Sequence, residues 1–108
     1  MLSKKPIDCE KISKENKDKE FLRLALVSEL DAISLYEQIA DNTDNEDIKK
    51  VMLDIAKEEK THIGEFQALL LKLDDEQVDE LINGKKEVQE ILSGEEQGES
   101  EEGEEEEQ

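Results

Sequence analysis

Glu59-Lys60-Thr61-His62 sets a carboxylate and an imidazole three residues apart. On an α-helix that spacing puts both side chains on one face, a turn apart. Carboxylate oxygen together with imidazole nitrogen suits a hard or borderline divalent cation. By itself the motif is weak, because a chain with 32 acidic residues produces such spacings often. Glu29 strengthens it. If two antiparallel helices are joined by a turn near residue 44, residues whose numbers sum to about 88 lie opposite one another, and Glu29 and Glu59 satisfy that condition. An uncompensated buried charge costs several kcal/mol, so three ionisable groups at one level call for a shared partner, which a metal ion supplies.

The elements that must hold these residues are helices. The chain has three aromatic residues, Phe21, Tyr36 and Phe66, and no window alternates apolar and polar residues as a strand would. The periodicity predicts a first helix over about 17–41 and a second over about 46–73, with Asp44 or Asn45 as N-cap of the second. A third is expected over about 75–92, with Asp74 as N-cap and Gly94 at the residue beyond its end. Asn83-Gly84 sits inside that third stretch as its one candidate break into two short helices. On the first helix Leu22, Leu26, Glu29, Ile33, Tyr36 and Ala40 follow alternating steps of four and three. The second repeats the pattern with Ile48, Met52, Ile55, Glu59, His62, Phe66, Leu69 and Leu73. Both are coiled-coil seams interrupted only by the candidate ligands.

Further apolar residues widen each stripe, among them Leu24, Val27, Leu35 and Ile39, then Ala56, Ile63 and Leu70. Two helices cannot bury all of them against each other. The expected fold is therefore all-α: an antiparallel two-helix hairpin plus a short C-terminal helix, dimerising into a four-helix bundle. One chain supplies one Glu and one Glu-x-x-His. Four-helix di-iron proteins use two such sets, so two copies about a two-fold axis would complete a site with two Fe per dimer. The same pairing would cover the surplus apolar stripe.

Composition bounds the rest. The 108 residues carry a net charge of −18, and setting aside the nine glutamates of the stretch from Glu95 onward still leaves −9. That favours cations and argues against nucleic acid as a partner. The expected organisation is a flexible polar arm over 1–16, the helical hairpin with its third helix over 17–93, and a disordered Glu-rich tail or linker over 94–108. Cys9 is the single cysteine, which excludes a disulfide framework. Met1 to Glu20 has no apolar run of the kind a signal peptide needs, and no stretch approaches the ~20 apolar residues of a membrane span, so a cytoplasmic protein without membrane partners is expected.

The segments SELDAISLYEQIA, from Ser28 to Ala40, and EEKTHIGEF, from Glu58 to Phe66, resemble the encapsulated ferritins, two-helix members of the ferritin-like superfamily. The resemblance covers roughly 21–92. It implies a ferroxidase centre at a dimer interface, at which Fe(II) is oxidised to Fe(III) by dioxygen. It further implies that Glu29, Glu59 and His62 are the iron ligands, that Tyr36 lies close to the centre, and that Asp31 matches an acidic position guiding iron inward. Dimers of the family assemble into a larger annular oligomer, a decamer, inside an encapsulin shell that stores the oxidised iron. Ser28 stands where an acid is common in the family, and Leu35 where Trp is common. Relatives fused to the shell protein carry a linker that the Glu-rich tail resembles.

Each residue also has a structural alternative. His62 on an apolar stripe is a core histidine in many helices, Glu29 and Glu59 are solvent-facing if the seam is misassigned, and Tyr36 is equally a core tyrosine. A metal-independent helical oligomerisation or adaptor module is the competing function. A rubrerythrin-like peroxide reductase is a second enzymatic alternative, disfavoured because no Cys-x-x-Cys pair exists to deliver electrons. Zn²⁺ and Mn²⁺ suit the same ligand set as iron.

Overall fold

The structure, a computed structural model, describes residues 8, 10, 11 and 13–95. Most of the expected arm and nearly all of the expected tail lie outside the described residues. Among the described residues there are three helices and no strand. They fall into two units, one up to Leu73 and one from Asp74.

The first unit is a hairpin of α1 (Lys17–Asn42) and α2 (Glu46–Leu73). Asp18 and Glu20 in the first turn of α1, and Glu46 and Asp47 in that of α2, complement the positive end of each helix dipole. The turn between them is built from side chains that satisfy the free helix ends. Thr43 takes an extended conformation, φ −83° and ψ 143°, and its N–H donates to the Ile39 carbonyl at 3.0 Å. The Asn42 amide donates to the Gln38 carbonyl at 2.7 Å. Asn45 is the N-cap of α2: its Oδ1 accepts from the N–H groups of Asp47 at 2.9 Å and Ile48 at 3.0 Å.

The dry core of this hairpin is thin. Among the described residues only Ala40, Ala56 and Leu70 are buried apolar residues, whereas Phe21, Leu30, Ile48, Val51, Leu53, Leu69 and Leu73 of α1 and α2 are exposed. The helices hold each other through one narrow strip and leave a second apolar strip uncovered.

The second unit is α3 (Asp75–Glu95). Asp74 caps it, its Oδ1 accepting from the Gln77 N–H at 3.0 Å. One expectation fails here, and one candidate break goes unused. Asn83-Gly84 does not divide the helix, because one glycine costs only about 1 kcal/mol and the Glu, Lys and Leu residues around it are good helix formers. Gly94 does not end the helix either; it keeps helical backbone, and Glu95 extends α3 beyond it. A glycine permits the left-handed stop without requiring it.

Candidate metal centre

Glu29 stands near the middle of α1, and Glu59 and His62 lie one turn apart on α2. The turn register brings them together as the numbering predicts. One ligand atom from each of the three lies within 4.8 Å of the others. His62 Nδ1 is 3.0 Å from Glu59 Oε1 and 3.5 Å from Glu29 Oε2. The carboxylates are mostly covered, with side-chain exposures of 17% for Glu29 and 18% for Glu59, while His62 is 46% exposed and forms the open rim. No other group of three or more His, Cys, Asp or Glu with this proximity occurs among the described residues.

The electrostatics are those of a crowded anionic pocket. Burial, then the adjacent Glu59 carboxyl, raises the Glu29 pKa above its usual value. Glu59 is held below its usual value by the hydrogen bond from the Glu29 carboxyl and by His62. His62 is raised, first by its hydrogen bond to Glu59 and then by the charges of both glutamates. The three shifts together are the response expected where two carboxylates face each other beside an imidazole with no cation between them. The donor set, two carboxylates and one imidazole converging with one side open, fits a hard or borderline divalent cation.

Tyr36 follows Glu29 by seven residues and shares its helix face, half-buried. Asp31 is also half-buried but follows Glu29 by only two residues, about 200° around the helix, so it is not part of the cluster. Ser28 and Leu35 are half-buried as well. On α2, Ile48, Ile55 and Leu69 lie at multiples of seven residues from His62, and Val51 and Leu73 at eleven, so the histidine emerges inside an apolar stripe. Val51 is 53% and Leu69 51% exposed, which leaves that stripe uncovered on both sides of the pocket. The opposite flank is polar, with Lys60 Nζ bridging to Glu37 Oε2 at 3.1 Å across the two helices. Sequence reasoning missed this pair, because long flexible side chains meet off the backbone register.

Among the described residues, no helix is long and apolar enough to cross a membrane. The rubrerythrin family profile matches residues 20–108. A ferritin-like–encapsulin shell fusion protein of Pyrococcus furiosus is 58% identical over 72 residues, covering 67% of this chain and 21% of that protein. An encapsulin nanocompartment cargo protein of Myxococcus xanthus is 45% identical over 56 residues, covering 52% of this chain and 43% of that protein. The chain thus spans less than half the length of either relative. The crystal structure of the encapsulated ferritin domain from Pyrococcus furiosus superposes with a TM-score of 0.72 at 50% identity, covering 84% of this chain and 95% of that one. The chain belongs to the rubrerythrin family and, by its match to nearly the whole of that solved domain, to the encapsulated ferritins.

Proposed function

We propose that two copies of this chain form a ferroxidase, with Fe(II) as substrate bound between them by both sets of Glu29, Glu59 and His62. One observation carries the reading: the three ligand atoms converge within 4.8 Å, and the histidine emerges on the apolar stripe that the hairpin leaves uncovered. Site and stripe are completed by the same partner. Six ligands around a two-fold axis fit two irons, and the pair would give two electrons to dioxygen, which with two protons leaves as hydrogen peroxide. Glu29 and Glu59 hold and bridge the cations, and their negative charge favours Fe(III) over Fe(II). His62 supplies a nitrogen ligand whose proton leaves as iron binds. Tyr36, two turns along α1 from Glu29, borders the pair of irons, and Asp31 serves as an acidic way-station on the iron's path inward.

The relatives extend the proposal. Because one is fused to an encapsulin shell and another is encapsulin cargo, we place this chain within an encapsulin nanocompartment, where Fe(III) leaves the site for storage in the shell. Dimers then assemble further into an annular oligomer, a decamer by the family's pattern.

The test is aerobic Fe(II) oxidation at two irons per dimer, for the native chain and His62→Ala. The native chain should oxidise iron well above the buffer rate, and the variant should not. Equal rates for native chain, variant and buffer would remove the ferroxidase reading and leave a helical oligomerisation module.

A further inference from the structure

We infer that each hairpin captures one divalent cation by itself, through Glu29, Glu59 and His62, before it meets a second copy. Pairing then joins two loaded half-sites; it does not create the site. The inference rests on the metal-binding reading above and adds an order of events to it. All three ligand atoms come from one chain and already lie within 4.8 Å of one another. With metal–ligand bonds of about 2.1 Å, neighbouring donors on one cation stand roughly 3.0–3.4 Å apart. His62 Nδ1 sits 3.0 Å from Glu59 Oε1, so one edge of such a site is in place without a partner, and at 3.5 Å from Glu29 Oε2 a second is just outside that spacing. The remaining closure needs only side-chain rotation, and the 46% exposure of the His62 side chain leaves room for it.

Charge favours the same order. Two unloaded copies meeting on this face would bring four carboxylates into an apolar, water-poor interface, which is costly unless the charges are compensated. One divalent cation per copy matches the charge of Glu29 and Glu59 before water is removed.

The experiment keeps the chain from pairing while leaving the ligands untouched. Val51→Lys with Leu69→Lys places two charges on the exposed stripe, and Ile48→Lys with Leu73→Lys is a second, independent version. Each is checked for helicity by circular dichroism and for monomeric mass by sedimentation, then titrated with Co²⁺. His62 is the only histidine in the chain, so its imidazole NMR signal reports this site and no other surface carboxylate. The expected result is a paramagnetically shifted imidazole at one Co²⁺ per chain in native and monomeric proteins alike. The native chain should bind about 5–150-fold more tightly, because pairing and metal binding are coupled. Folded monomers whose imidazole stays unshifted at Co²⁺ levels that saturate the native chain would overturn the inference and leave the dimer site intact. A native chain whose imidazole also stays unshifted would overturn the metal-binding reading and this one with it.

Discussion

Leu69→Ala should weaken self-association about thirtyfold. Leu69 lies seven residues beyond His62, on the same face, and is 51% exposed. Fully burying such a side chain contributes about 1.5–3 kcal/mol, so covering its exposed half contributes about 1 kcal/mol. Truncation to Ala removes most of that contribution. A two-fold interface contains the residue twice, which makes the loss about 2 kcal/mol per dimer, or close to thirtyfold in the dissociation constant. Alanine is the best helix former, so the fold of α2 is not at issue. Sedimentation over a dilution series, with the site saturated by Co²⁺, measures the change. Lys57→Ala, an exposed position five residues before His62 and about 140° around the helix from it, is the control. Were Leu69→Ala to associate as tightly as Lys57→Ala, within about threefold, the stripe beside His62 would not be the interface. The bundle around the site would then have to be built on another face.

Four further outcomes are expected. Glu59→Ala and His62→Ala should each abolish stoichiometric metal binding, measured by calorimetry, while keeping helical circular dichroism; loss of helix in both would give the cluster a structural role instead. The His62 imidazole of metal-free protein should titrate above the usual 6.5. Its protonated form then contributes stability that is fully present below about 6.5 and is lost as pH rises through the raised value. NMR titration of the single histidine with parallel thermal unfolding checks both, and a midpoint at or below 6.5 would refute it. Metal affinity should move the opposite way, rising with pH until that proton is gone. Asn45→Ala removes the acceptor of two backbone N–H groups at the start of α2, and urea unfolding of the variant should show a loss of about 1 kcal/mol.

The sequence makes the hairpin legible because its signals are local and repeated. Four-three spacing marks both seams; Asp74 caps as read, and Asn45 caps as one of the two candidates offered with Asp44, because an Asx oxygen three residues before a free N–H needs no tertiary help. The meeting of Glu29 with Glu59 and His62 was legible for a different reason. A tight turn fixes the register of two antiparallel helices, so one sum places Glu29 opposite Glu59. The end of α3 was harder to read, since Gly94 accepts both a helical and a left-handed backbone and nothing in its own chemistry chooses. The Lys60–Glu37 bridge escaped because it depends on long side chains reaching across a flank. Asp31 and Tyr36 show the limit of register alone: spacing sets the face each residue takes, but not its chemical role.

The arrangement on α2 ties stability to function through one surface. A hairpin that buries only Ala40, Ala56 and Leu70 outright has little to hold it alone. Its remaining apolar surface flanks a pocket whose two carboxylates repel. Covering that surface without a cation would enclose the repulsion, and adding a cation without covering the surface would leave the ligands partly in water. Each step makes the other more favourable. A chain built this way should be least stable when neither metal nor partner is present and should gain from either, which is why association must be measured at fixed metal and metal affinity at fixed chain concentration. The same coupling predicts that leucine at 29, 59 and 62 together would give a more stable dimer that no longer binds metal, since apolar residues satisfy the interface without needing a cation. A triple variant that binds no metal but pairs more tightly than the native chain would show that the ligands are kept for chemistry at a cost to assembly. A triple variant that cannot pair at all would mean that the metal, and not the apolar stripe, holds the two copies together.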